Sequence, residues 1–143
     1  KSESPYMNTT EFEKALEFTP DIVIIMLGTN DAQPSVHRYN ESFVADYKTL
    51  INTFKSLPNN PQIWIVLPPP IFDSQGGRTS PEYFSQIVIP NIKQTANELD
   101  LSTIDVFSAL AQYSHLFSDG LHPNNEGGRL IAEKIHSTIF SCK

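Results

Sequence analysis

Asp21-Ile22-Val23-Ile24-Ile25-Met26-Leu27-Gly28-Thr29-Asn30-Asp31 is the stretch that decides the fold class. Its first seven residues run apolar without alternation, as a strand does when helices cover both of its faces, so it reads as an interior strand of a parallel sheet. Gly28 lets the chain turn sharply on leaving the strand. In open α/β sheets the ligand crevice lies beyond the carboxyl ends of the strands. Asn30 therefore stands where a side-chain amide could donate a hydrogen bond to a ligand, with Asp31 beside it. The same tetrapeptide also suits a plain Asx turn with no chemical role.

Outward from this stretch, helical and strand-like segments alternate. Upstream, Thr10-Glu11-Phe12-Glu13 has the form of a capping box, with Thr10 and Glu13 satisfying each other's backbone donors, and a short helix follows to about Phe18 before Pro20 ends it. Downstream, Asn40 is a candidate N-cap for a helix whose apolar positions Phe43, Val44, Tyr47, Leu50, Ile51 and Phe54 recur at helical spacing up to Ser56. Pro58-Asn59-Asn60-Pro61 is a turn, and Ile63 to Leu67 is a second apolar strand halted by Pro68, Pro69 and Pro70. A loop with Gly76-Gly77 in its middle leads to about Ser80. The pattern Phe84, Ile87, Val88, Ile92, Ala96, Leu99 predicts a helix over 81–99 that Pro90 should kink. Leu101 to Val106 is a third strand. A last helix, from about Asn125 to Phe140, should bury Leu130, Ile131, Ile135 and Ile139. This order predicts an α/β fold of three layers, a parallel sheet joined by right-handed crossovers with helices on both faces. Only three strands are readable, against about five or six in an average sheet.

A chain of 143 residues is one small domain or a portion of one. Its net charge of −6, with 10 Lys+Arg against 16 Asp+Glu and no basic run, argues against nucleic acid and anionic membranes as partners. The longest apolar run, Ile22 to Leu27, is far too short to span a membrane. The single cysteine, Cys142, can form neither an internal disulfide nor a thiolate metal site. The opening Lys1-Ser2-Glu3-Ser4-Pro5 has no initiator Met and no signal-peptide pattern, which leads us to expect a removed upstream portion. Asn8-Thr9-Thr10 and Asn40-Glu41-Ser42 fit the N-glycosylation acceptor pattern, which matters only in a secreted eukaryotic protein. The compartment stays open, with a lean towards secretion.

A second cluster, Ser118-Asp119-Gly120-Leu121-His122-Pro123-Asn124, precedes the last helix. A carboxylate three residues before an imidazole, with Gly120 permitting a tight reversal, can accept the Nδ1 proton and leave Nε2 free as a base. Asp119 would orient the ring and His122 would move protons. The plainer alternative is that both residues help cap the final helix.

Together and in this order, the two clusters resemble two sequence blocks of the SGNH hydrolases, the GDSL-like esterases and lipases. Gly28-Thr29-Asn30-Asp31 is similar to the block whose Asn supplies an oxyanion-hole donor. Asp119-Gly120-Leu121-His122 resembles the block whose Asp and His complete a Ser-His-Asp triad. The flanking text, Pro20 to Leu27 and the proline-rich exit at Pro68, is similar to bacterial-type members described as acetylesterases. The resemblance implies a flavodoxin-like sheet of order 2-1-3-4-5 and hydrolysis of short acyl esters without a metal or organic cofactor. Asp119 and His122 become the catalytic residues, Asn30 the oxyanion-hole residue, and Gly28 and Asp31 supporting residues. The family's nucleophile block and its oxyanion-hole glycine block are absent. Ser2, Ser4, Ser35 and Ser74 all lack the strand-exit setting that a nucleophile requires. By the family's layout the whole chain, 1–143, is the carboxyl-terminal portion of one domain whose first two strands and nucleophile lie upstream, so that the strand Asp21 to Leu27 becomes an exposed edge here.

Three further expectations complete the reading. Asp31, His37, Asp119 and His122 have no pair with the spacing of a helical zinc site, so no metal is expected. The partner is a small-molecule or carbohydrate ester, joined by the upstream part of the same domain, although a truncated glycan-binding or interaction module is an alternative. Phe72 and the rigid Pro68 to Pro70 exit could line an acyl pocket or could be ordinary packing.

Overall fold

The structure, a computed structural model, describes residues 5–73 and 76–141. Its strands are β1 (Ile22–Ile25), β2 (Gln62–Leu67) and β3 (Thr103–Asp105). The helices are α1 (Thr10–Glu17), α2 (Asn40–Lys55), α3 (Pro81–Tyr83), α4 (Ile89–Glu98), α5 (Val106–Ala109) and α6 (Asn125–Phe140). The sheet is parallel throughout in the order β1-β2-β3, with Ile25 opposite Ile65 and Leu67 opposite Asp105. This is the α/β architecture the alternating pattern predicts, and the chain-order sequence of strands agrees with the last three positions of the implied 2-1-3-4-5 arrangement.

Alternate side chains of β1 and β2 feed two cores, because successive residues of a strand face opposite sides. On one face Val23, Ile25, Ile63, Ile65 and Leu67 pack with Phe12 of α1, with Phe43, Tyr47, Leu50, Ile51 and Phe54 of α2, and with Ile92 and Ala96 of α4. On the other, Trp64, Val66 and Ile104 pack with Val106 of α5, with Leu110 just after it and with Ile131 of α6. Helices thus lie on both faces, but α6 reaches only β2 and β3. The residues of β1 that point to its side therefore stay open: Ile22 and Ile24 are 39% and 46% exposed, and Met26 beyond them is 39% exposed. The strand whose apolar run reads as interior is, among the described residues, the edge of the sheet. The groove along it, about 540 Å³, is lined by Tyr6, Ala15 and Phe18 on one side and by β1 itself on the other.

Several boundaries differ from expectation for local reasons. The N-cap of α1 is Thr9, whose hydroxyl accepts from the Phe12 N–H, so the Thr10–Glu13 capping box does not form. Asn40 does not cap α2; a 3-10 turn over Pro34–Tyr39 runs straight into that helix, and the Asn40 side chain instead accepts from Asn91 Nδ2 at 2.9 Å. Pro90 stands in the first turn of α4. It has no N–H to give to the carbonyl one turn earlier, and the chain accommodates this with a π turn over Phe84–Val88 between α3 and α4. The third strand is shorter than 101–106 because Asp105 caps α5, accepting from the Ser108 N–H at 2.8 Å, a helix the sequence pattern had not suggested. The last helix falls on 125–140 as expected, with Asn124 as its cap. Among the described residues no helix is long and apolar enough to cross a membrane.

Candidate active site

The first cluster leaves β1 through Gly28 at φ 127°, a conformation that side chains rarely adopt. A Cβ there would lie 2.9 Å from Ile92 Cδ1, so glycine is required both for the turn and for the close approach of α4. The next residues form a 3-10 turn, Thr29–Ala32, closed by the Asp31 N–H on the Gly28 carbonyl. Asn30 is exposed on this turn. Its Oδ1 accepts a long bond from Gln33 Nε2 at 3.4 Å, leaving the Nδ2 hydrogens for another acceptor. Asp31 turns inward, and burial pushes its carboxyl above the ordinary carboxylate value. Close to it lie Tyr83, raised by burial and then by the Asp31 charge, and the buried Tyr47 hydroxyl, which sits at the Leu27 backbone without a hydrogen bond of ordinary geometry.

The second cluster is built almost wholly by one carboxylate. Asp119 Oδ1 accepts the backbone N–H of Leu121 at 2.9 Å and of His122 at 2.7 Å, while Oδ2 faces His122 Nδ1 at 2.6 Å. Gly120, at φ 75°, makes the reversal that lets one side chain reach all three donors. The imidazole contact first, and the two backbone donors after it, hold the Asp119 carboxyl well below the usual carboxylate range. An ionised Asp119 fixes the proton of a neutral imidazole on Nδ1, so Nε2 carries the lone pair. That nitrogen is available: the His122 side chain is 78% exposed. The alternative that these residues cap α6 is set aside by Asn124, which performs that role itself.

Both clusters are attached to the segment that follows β2. The Phe72 N–H donates to the Gly120 carbonyl at 2.7 Å, and the Ser80 N–H donates to the Ala32 carbonyl at 2.9 Å. His37, considered from sequence only as a metal ligand, also meets the Ala32 carbonyl through Nε2 at 3.2 Å and stacks on Tyr83 with ring centroids 3.5 Å apart. Phe72 packs on Phe117 at 5.0 Å at the border of the second core, which makes it a packing residue. Ser35 lies exposed in the 3-10 turn after the first cluster, and Ser2, Ser4, Ser74 and Cys142 fall outside the described residues. Among the described residues no group of three His, Cys, Asp or Glu is placed to hold a metal ion.

Residues 4–130 match the model of the GDSL-like Lipase/Acylhydrolase family, an interval that contains both clusters. The chain belongs to that family. It is 29% identical to an acetylxylan esterase of Xylanibacter ruminicola, an alignment covering 97% of this chain and 32% of that protein. A lipase/acylhydrolase from Enterococcus faecalis superposes with a TM-score of 0.72 at 22% identity, over 93% of this chain and 65% of its own. An acetyl-xylooligosaccharide esterase from Geobacillus, in a variant form, superposes at 0.67 with 23% identity, over 93% and 68%. The two solved structures share the fold. The chain thus spans about a third of its curated relative's length and about two thirds of each solved neighbour's.

Proposed function

We propose that this chain carries the proton-transfer and oxyanion-binding half of a serine ester hydrolase whose nucleophile is supplied by polypeptide outside the 143 residues. The observation that carries this reading is the Asp119–His122 pair, with Nδ1 at 2.6 Å from Oδ2 and the opposite ring edge open. In the reaction the serine hydroxyl attacks the ester carbonyl, and His122 Nε2 takes the hydroxyl proton. The imidazolium that forms is steadied by Asp119. The Asn30 amide donates to the oxygen of the tetrahedral intermediate. His122 then protonates the departing alcohol, and a water, deprotonated in turn by His122, releases the acid and restores the serine. Ester and water become a carboxylic acid and an alcohol.

The substrate we propose is a short acyl ester, an acetyl group on a carbohydrate hydroxyl. The support is that a curated relative and a solved neighbour are both described as esterases of acetylated xylan or xylo-oligosaccharide. The open edge of β1 fits the same reading. A further strand of the same domain would pair with this edge, and its crossover helix would cover Ile22, Ile24 and Met26.

Hydrolysis of p-nitrophenyl acetate by the complete domain tests the assignment. His122→Ala should abolish turnover while the circular dichroism spectrum stays that of the parent; undiminished turnover would reject it. The 143-residue chain alone should hydrolyse the ester no faster than background.

A further inference from the structure

The two clusters meet the same core, in which Ala32 is buried and against which Leu121 packs, and they also share a loop. Asn30 rides on a turn after β1, and His122 on a loop before α6, and both are fastened to the single segment that runs from β2 to α3. That segment holds the Gly120 carbonyl at Phe72 and the Ala32 carbonyl at Ser80. The contact at Gly120 is so close that a Cβ there would stand 2.4 Å from Asp73 Cβ and 2.9 Å from the Asp73 nitrogen, so the two backbones bear directly on one another. A side chain also joins the two ends: the Thr79 hydroxyl donates to the Asp73 carbonyl at 3.2 Å, linking residues six apart.

Thr79 is 7% exposed, and the other buried threonine among the described residues is Thr95. The contrast between them is informative. The Thr95 hydroxyl bonds the Asn91 carbonyl of its own helix, four residues back, an ordinary helical arrangement. The hydroxyl of Thr79 satisfies no helix and instead draws the two ends of a loop together. A hydroxyl buried without its partner is costly, so this bond is a strong local determinant of the loop's shape.

We infer that Thr79 is a positioning residue. By joining Asp73 to Thr79 it holds the neighbouring Phe72 and Ser80 at one separation, and through Phe72–Gly120 and Ser80–Ala32 it tunes the separation of the His122 imidazole from the Asn30 amide. The inference rests on the esterase reading for its catalytic consequence, but its structural part stands by itself.

The test compares Thr79→Val, which keeps the shape and removes the hydroxyl, with Thr79→Ser, which keeps the hydroxyl, in the complete domain. A misplacement of about 1 Å between reacting groups costs up to on the order of a hundredfold. Thr79→Val should therefore lower kcat at least about tenfold with KM changed less than about twofold. Thr79→Ser should return close to the parent. Amide hydrogen exchange gives a readout without chemistry: protection of the Phe72 and Ser80 amides should fall in Thr79→Val and persist in Thr79→Ser. If valine is not accommodated, Thr79→Ala makes the same comparison. Parental kcat in folded Thr79→Val, with turnover abolished in His122→Ala, overturns the positioning role and leaves the esterase reading in place. Turnover that survives His122→Ala removes the esterase reading instead, and exchange then decides: unchanged protection of both amides in Thr79→Val overturns the inference. An equal loss in Thr79→Ser and Thr79→Val overturns it as well, because packing rather than the hydroxyl would be responsible.

Discussion

β1 and β2 are written in nearly the same alphabet, Ile-Val-Ile-Ile against Ile-Trp-Ile-Val-Leu, and they lie side by side in register, yet on one face of the sheet they have opposite fates. Trp64 is 7% exposed and its register partner Ile24 is 46% exposed, whereas Ile65 and its partner Ile25, on the other face, are both buried. Hydrophobicity does not distinguish them. What does is coverage: β2 has a neighbour on each edge and helices on each face, whereas β1 has a free edge and an open face beyond the reach of α6. An apolar run therefore records the environment a strand needs, and where the chain does not provide it the run marks a surface that something else must cover.

The largest effect should come from breaking the covered strand. Ile65→Ala should cost about 3 kcal/mol, read as a shift in the urea midpoint, because the cavity cannot collapse between two helices and two strands. The glycine loops come next. Gly120→Ala should cost roughly 2 kcal/mol, since φ is positive there and the Asp73 backbone occupies the space a methyl needs. At the open strand, Ile24→Lys should change stability by less than about 0.5 kcal/mol and should reduce concentration-dependent association of the 143-residue chain in sedimentation velocity. Equal costs for Ile24 and Ile65 would show that β1 is covered after all. The smallest effect concerns acid. The Asp119 carboxyl is depressed, so the stabilisation it gives is complete above its ordinary value of 3.8 and is lost as pH falls through the lowered one. The melting-temperature gap between the parent and Asp119→Asn should thus be constant above about pH 5 and close on further acidification.

Periodicity made most of the fold legible: α2 and β2 carry residues whose spacing and burial agree, while in α6 only Ile131 of the four expected core residues is buried and Leu130, Ile135 and Ile139 are partly buried, because they lie at the margin of the second core. Shorter signals failed where two neighbours compete for one role. Thr9 and Thr10 both suit a cap, and only the backbone decides for Thr9. Asp105 ends a strand because its side chain starts a helix, a choice invisible to strand propensity. In the site, Asp119 and His122 are legible because four consecutive residues contain the whole unit. Thr79 and His37 are not, because each acts on a carbonyl that belongs to a turn or loop, and no spacing rule encodes such a contact.

The central claim is that Asn30 and His122, fastened to opposite ends of one loop, serve one reacting carbon. The most direct test is the crystal structure of the complete domain with a phosphonate ester bound to its nucleophilic serine. The account predicts the phosphonyl oxygen within hydrogen-bond distance of Asn30 Nδ2, and His122 Nε2 within the same reach of the serine Oγ. A phosphonyl oxygen held by other donors, with Asn30 turned away from it or His122 remote from the serine, would contradict it.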